Sequence, residues 1–302
     1  MRLSCAKVHK QSFSERKSPM YTAFDCSFYR TTDVIEEIVP LLKKYGIQGI
    51  CVPVSLLEDR GRREIANNIV EQCGLRWSLM PTPVDFYAED VNDVLFSKSL
   101  ETLDLWCDAA KRLGVDRAYN HIHPGSNSRQ YDENFEWYAN RIGKVYDVFR
   151  RYDMKYGLEF VGPVTLQNTF RYPFISALSG ALALADSVSG EIGILFDTFH
   201  WYCGSGNMDD VYYLAFHIER LLVVHINDGV IGKTRLEQDD GQRAMPMTAG
   251  LIDAKGICDI FNKRGYDGPV LCEPMNPAYK RFEKMSPEEV VSILAESYHR
   301  VR

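Results

Sequence analysis

Apolar positions along this chain follow two alternating spacings. Short runs rich in Val, Ile, Leu and Phe recur, and between them apolar residues return at every third or fourth position. The short runs read as strands buried on both faces, and the wider spacing reads as helices with one buried stripe. In residues 32–45, Ile35, Ile38, Val39 and Leu42 share a helical face and Gly46 follows as a stop. In residues 97–113 the stripe is Leu100, Leu103, Trp106, Cys107 and Ala110, closed by Gly114. Near the C-terminus, Ser286-Pro287-Glu288-Glu289 is a helix start: a capping serine, proline at the first position, then early acids.

Taken in order, strands are expected at residues 2–8, 49–54, 75–79, 117–121, 156–160, 193–197, 222–226 and 269–273. Helices are expected at 32–45, 62–73, 97–113, 134–152, 174–186, 209–219, 253–264 and from Ser286 onward. Residues 9–31 read as a long polar connection, and Met80-Pro81-Thr82-Pro83 as a rigid exit that cannot be helical. Strand followed by helix eight times, with no low-complexity linker, predicts one α/β domain over residues 1–302, a (β/α)8 TIM barrel. The other candidate is an open doubly wound sheet. It would usually carry a G-x-G-x-x-G turn after its first strand, and none is present.

Composition narrows the partners. A formal charge of −6 gives no electrostatic case for nucleic acid or an acidic membrane, and no apolar run has the length of a membrane span. The N-terminus lacks the apolar core of a secretory signal. The eight cysteines are scattered, with no Cys-x-x-Cys pair, and Cys51, Cys107, Cys258 and Cys272 lie in apolar runs. A reduced, cytoplasmic protein is the expectation.

The candidate chemistry lies in the second half. Four successive strand runs stop at Glu159, Asp197, His225 and Glu273. In a parallel barrel these endings share the C-terminal rim, where such folds keep their sites. Any one of them could simply cap a helix. Unpaired carboxylates converging on a narrow mouth repel one another, however, and a cation relieves that cost. Three carboxylates and one imidazole suit one hard or borderline divalent ion, with Mn expected and Mg or Co also accommodated. His200, three residues past Asp197, is a candidate substrate contact, the alternative being a surface-loop histidine. His121 and His123 leave strand four two residues apart, so both can face the interior. They are candidates for a base, a substrate hydrogen-bond donor or a second metal position, with His123 taken as the catalytic group and His121 as the substrate contact; the alternative is one buried, satisfied histidine and one loop histidine. Residues 227–250 form a long polar loop of the kind that covers barrel mouths, and Arg243 within it is a candidate contact to an anionic or polyhydroxyl substrate, the alternative being a solvated charge in a run that also holds Glu237, Asp239 and Asp240.

At these residues the chain resembles the sugar isomerase/epimerase superfamily with the xylose-isomerase-like barrel. The matching pieces are Gly157-Leu158-Glu159, Asp197 with His200, His225 with Asp228, Ile252-Asp253, and Gly265-Tyr266-Asp267-Gly268-Pro269 ahead of Glu273. The resemblance implies one ion held by Glu159, Asp197, His225 and Glu273. It implies a substrate proton removed beside a carbonyl, through an enediolate, with Glu159 and Glu273 as the base pair. The chain departs from ketose 3-epimerases in two places. Val164-Thr165-Leu166 stands where they carry a further glutamate, and Met247-Thr248-Ala249-Gly250 replaces a Pro-Gly-x-Gly stretch. His121 or His123 is then the alternative base. The same deprotonation followed by elimination describes C-glycoside deglycosidases, whose catalytic subunits look similar and work with a small β-rich partner. The expected partners are therefore a small sugar or glycoside and another copy of this chain, or that partner subunit. His123-Pro124-Gly125-Ser126 also resembles a segment of endonuclease-IV-type repair enzymes, but the acidic charge and the absence of a late Asp-x-His argue against them.

Overall fold

Alternating short and wide spacings translate into alternating strands and helices. The computed structural model describes residues 20–29, 35–86 and 92–302. In order they form β1 Tyr21–Phe24, α1 Ile35–Lys44, β2 Gly49–Ile50, α2 Arg60–Cys73, β3 Arg76–Trp77, α3 Asp93–Arg112, β4 Arg117–Ile122 and α4 Tyr131–Arg151. There follow β5 Lys155–Phe160, α5 Leu178–Val188, β6 Gly193–Asp197, α6 Met208–Phe216, β7 Leu221–Ile226, α7 Ala254–Lys263, β8 Pro269–Cys272 and α8 Pro287–Val301. The sheet order is β3-β2-β1-β8-β7-β6-β5-β4, and each neighbouring pair is parallel. That is sequence order around a circle. The two ends approach where the Met80 N–H donates to the Arg117 carbonyl at 3.3 Å. The (β/α)8 barrel expected from the sequence is the fold.

The strand expected at residues 2–8 lies outside the described residues. The barrel position between β8 and β2 belongs to Tyr21–Phe24, inside the stretch read as a polar loop. All four of its residues are buried. Tyr21 and Ala23 face the barrel interior, whereas Phe24 joins the outer core. Four residues embedded in polar sequence show too little periodicity to stand out.

Two apolar layers hold the barrel. Tyr21, Ala23, Leu79, Leu195, Val223 and Leu271 are among the residues filling its interior. A larger cluster packs the helices on the outer face of the sheet. Burial of this kind, at roughly 25 cal/mol per Å² of apolar surface, is what makes the closed arrangement stable. The last helix starts as its sequence requires, with Ser286 and Glu289 in a reciprocal capping box. Two expected boundaries move. Tyr172–Pro173 pairs with Gly125–Ser126 in a small antiparallel ribbon, so α5 begins at Leu178 instead of near 174. A short helix, Thr198–Gly204, springs directly from Asp197 before α6. Among the described residues no helix is long and apolar enough to cross a membrane.

Candidate metal centre

Strand register assembles the site. In a parallel pair, residues at one height point the same way, and inward residues recur at every second position. Tyr119, Leu195, Val223 and Leu271 face the interior. His121, Asp197, His225 and Glu273 each follow one of them by two residues, so they face inward one layer higher, at the C-terminal rim. His121 is the register partner of Glu159, and Asp197 is the register partner of His225. His225 is level with Leu271, which leaves Glu273 two residues further out.

The convergence is close. Ligand atoms of Glu159, Asp197 and His225 lie within 4.8 Å of one another, and all three residues are buried. Nδ1 of His225 stands 3.8 Å from Glu159 Oε1, 3.9 Å from Asp197 Oδ2 and 3.8 Å from Glu273 Oε2. Neither Glu159 oxygen has a hydrogen-bond partner of acceptable geometry, and neither does His225 Nδ1. Buried polar atoms are rarely left this way, because the desolvation cost goes unrecovered. The ligand atoms of Glu159 and His225, with Asp197 Oδ2 beside them, are of the types that hold a divalent cation and are aimed at one point. Asp197 also caps a helix. Its Oδ1 accepts the N–H groups of Phe199 (2.6 Å) and His200 (3.1 Å), and Oδ2 remains turned to the cluster.

The cluster controls its own charge. Burial alone would lower the His225 pKa, but the carboxylates of Glu273, Glu159 and Asp197 raise it to about 9. Burial would raise Glu159, yet the neighbouring imidazoles of His121 and His225 pull it below the ordinary carboxylate value. His121 is raised: burial works against its charge, and Glu159 outweighs burial. Desolvation raises Asp197 despite the nearby Arg243. Glu273 lies well below the usual range, since the Arg243 charge overcomes burial.

Arg243 is inside the cluster. The sequence placed it on a covering loop as a substrate contact; the structure buries it among the carboxylates. Its Nη1 donates to Asp197 Oδ2 at 2.9 Å and to Glu273 Oε2. Nη2 faces Asp240 Oδ1 at 3.0 Å and His200 Nε2 at 3.3 Å, and Nε donates to the Asp240 carbonyl at 3.2 Å. Four of the five guanidinium N–H groups thus donate to oxygens of Asp197, Glu273 and Asp240, and the fifth faces His200. Of the four expected ligands, Glu159 and His225 therefore converge without a bond to Arg243, whereas Asp197 and Glu273 are shared with it. His200 is buried as well, with Nε2 3.8 Å from Glu159 Oε1 and Nδ1 accepting from the Gly162 N–H at 3.3 Å. A Cβ on Gly162 would lie 1.9 Å from the His200 carbonyl oxygen, so only glycine lets the two segments meet.

The loop carrying Arg243 is stitched down by Asp228. This fully buried carboxylate accepts N–H groups from Gly229 (2.9 Å), Ala249 (2.8 Å), Gly250 (2.8 Å), Leu251 (3.1 Å) and Ile252 (3.0 Å). Sequence singled Asp228 out only by its closeness to His225. Its role as an anchor, and Asp240 as partner of Arg243, needed the folded loop to be seen.

Of the strand-four histidines, His121 reaches the centre, its Nε2 being 2.9 Å from Glu159 Oε2. His123 stands two residues further out with its ring edge-on to Phe170, 4.7 Å between centroids. His121 also lines a cavity of about 410 Å³ over the ends of β1 to β4, bounded by Asp25, Cys51, Leu79, Thr82, Phe86 and Tyr119 among others. The centre thus lies on the β5–β8 side of the mouth and the cavity on the β1–β4 side, with His121 between them.

An eight-stranded α/β barrel with a buried carboxylate and imidazole cluster at its C-terminal rim is a metal-capable barrel by construction. Residues 27–293 match the family model of the xylose isomerase-like TIM barrel, and the chain belongs to that family. A xylose isomerase domain protein from Alicyclobacillus acidocaldarius is similar in structure, with a TM-score of 0.76 at 22% identity, covering 93% of this chain and 98% of its own. The IolI protein solved with a zinc atom gives a TM-score of 0.74 at 17% identity, covering 93% and 98%. A 3-keto-D-glucoside 4-epimerase from E. coli gives 0.67 at 16% identity, covering 95% and 99%. No protein of curated function matches the chain by sequence.

Proposed function

We propose that the protein is a divalent-metal-dependent isomerase or epimerase of a polyhydroxylated carbonyl compound, acting by proton removal next to the carbonyl. The observation that carries the assignment is the convergence of buried ligand atoms of Glu159, Asp197 and His225 within 4.8 Å, beside a cavity that His121 borders. Glu159, Asp197 and His225 would hold the ion, with Glu273 completing the set. A divalent cation, Mn by preference, supplies Lewis acidity at a carbonyl oxygen there.

The chain's own groups supply the rest. Glu159, kept ionised by its imidazole neighbours, is placed to accept a proton from carbon. His121, its pKa raised by Glu159, is placed as a charged donor to a substrate oxygen at the cavity edge. Glu273, held ionised by Arg243, is the second carboxylate for proton return. Proton loss from one carbon and gain at its neighbour, or at the other face, leaves the composition of the substrate unchanged. Burial under the stitched loop keeps bulk water from exchanging that proton at random.

Solvent deuterium exchange tests the proposal. With Mn-loaded protein, a panel of ketoses and 3-oxo-glycosides should include at least one compound that acquires label at the carbon beside its carbonyl. Glu159→Gln should abolish the labelling. Absence of label across the panel in fully metallated protein counts against the assignment. Release of a phenol together with label would turn the isomerase into a lyase.

A further inference from the structure

We infer that Tyr119 is a specificity-determining residue of the site: its hydroxyl, at the floor of the cavity, hydrogen-bonds a substrate hydroxyl that neither the ion nor His121 holds. The inference rests on the function proposed above and adds a residue and a recognition step to it.

Strand register places the ring. Tyr119 precedes His121 by two residues on β4, so it faces the same way one layer deeper, about 6–7 Å along the strand. Its register partner on β5 is Gly157, which has no side chain to crowd it. Cys51, Leu79 and Tyr119 are the members of the barrel's interior layer that also line the cavity, and they make its floor. Tyr119 is the partly buried one of the three and carries their only hydroxyl. Burial keeps the Cys51 thiol protonated, which leaves it a weak donor.

The ring touches both halves of the site. It stands edge-on to His225, 5.8 Å between centroids, and to His121, 5.5 Å between centroids. Burial raises the phenol's pKa, and the carboxylates of Glu159 and Glu273 on the metal side and Asp25 on the cavity side act in the same direction. The group therefore keeps its proton at neutral pH and can donate it in a hydrogen bond.

The hydroxyl itself is unspent. Tyr21, Tyr29, Tyr138, Tyr156, Tyr266 and Tyr298, the fully buried tyrosines among the described residues, each bond a protein group through theirs. Among the described residues none is hydrogen-bonded to the Tyr119 hydroxyl. A donor left open at the floor of a cavity gains a partner when a polyhydroxyl compound fills that space. It loses water without recompense when the compound lacks a hydroxyl there, and a site of that kind rejects the deoxy analogue.

Tyr119→Phe tests this, because it removes the hydroxyl and keeps the ring. Binding to the Mn-loaded protein is read by water-proton relaxation, with the ketoses and 3-oxo-glycosides of the exchange panel and their monodeoxy analogues. At least one compound should bind the Phe variant about tenfold or more weakly than the parent protein, with Mn affinity unchanged. For that compound, one monodeoxy analogue should bind both proteins alike, while the others keep the gap. The inference is overturned if no compound distinguishes the two proteins, or if the gap is the same for every deoxy analogue, which marks a packing effect. Weaker Mn binding by the variant also overturns it, since the phenol then serves His225 and not the substrate. Solvent deuterium exchange separates this result from the proposed function. Label entering a panel compound while both proteins bind every compound alike sinks the role of Tyr119 and leaves the enzyme assignment intact. The deoxy-selective gap without label in any compound does the reverse.

Discussion

His121 and Glu159 occupy one register level on adjacent strands, and Nε2 of the histidine stands 2.9 Å from Oε2 of the glutamate. Each moves the other's proton equilibrium: the imidazole is raised and the carboxylate lowered. The pair joins the cavity to the metal centre. His121→Asn should lower turnover about a hundredfold, in the range of a lost acid or base group, with metal affinity largely kept. Glu159→Gln should lower metal affinity more than about a hundredfold and leave the circular dichroism spectrum unchanged. Steady-state rates and metal titration by calorimetry read both. Full activity in the Glu159 variant would rule out its assigned role.

Metal loading should release a proton at neutral pH. In the metal-free protein the His225 pKa is raised to about 9, so its ring is charged at pH 7 and must lose its proton to become a ligand. Calorimetric titration with Mn in buffers of different ionisation enthalpy should show close to one proton released per ion at pH 7, falling toward zero above pH 9. The sign for stability follows from the same shift. A raised folded pKa contributes stability that is complete below the unfolded value near 6.5 and is lost as pH climbs through 9. The metal-free protein should therefore lose up to about 3 kcal/mol between pH 6.5 and 9.5 from this group. Denaturant midpoints across that interval measure it, and a flat profile would remove His225 as the cause.

Arg243 is the internal counter-charge of the cluster. Its guanidinium bridges Asp197 and Glu273. Arg243→Met should cost the metal-free protein about 3–5 kcal/mol, because it leaves buried carboxylates unpaired. Saturating Mn should restore most of that loss, since the added charge takes over the same carboxylates. Thermal melts with and without Mn distinguish this from a packing defect, which the ion would not repair.

Asp228 should govern the loop. Asp228→Ala removes a carboxylate that accepts five backbone N–H groups and should cost about 3 kcal/mol or more. Amide hydrogen exchange at Ala249 to Ile252 should rise sharply, while amides of β6 and β7 keep their protection. Unchanged exchange at Ala249 to Ile252 would show that the loop is held by other means.

The barrel was legible because local pattern and global fold agree: short buried runs, helical stripes such as that of α1, and the Ser286 start of α8 all carry their own signals. The four rim residues were legible because each ends a strand, and strand endings in a parallel barrel share one face. Only the tertiary structure could reveal that β1 is Tyr21–Phe24, since four residues gain their strand identity by pairing with β8 and β2 and not from their own spacing. It also decided that His121, and not His123, meets the cluster, because register with Glu159 sets the height. It moved Arg243 from a loop into the centre and left Glu273 bonded to it. The chain thus determines which residues reach the rim, through periodicity. Which of them touch, and which keep an unfilled valence for an ion, depends on distances between segments far apart in sequence, and no local pattern encodes those.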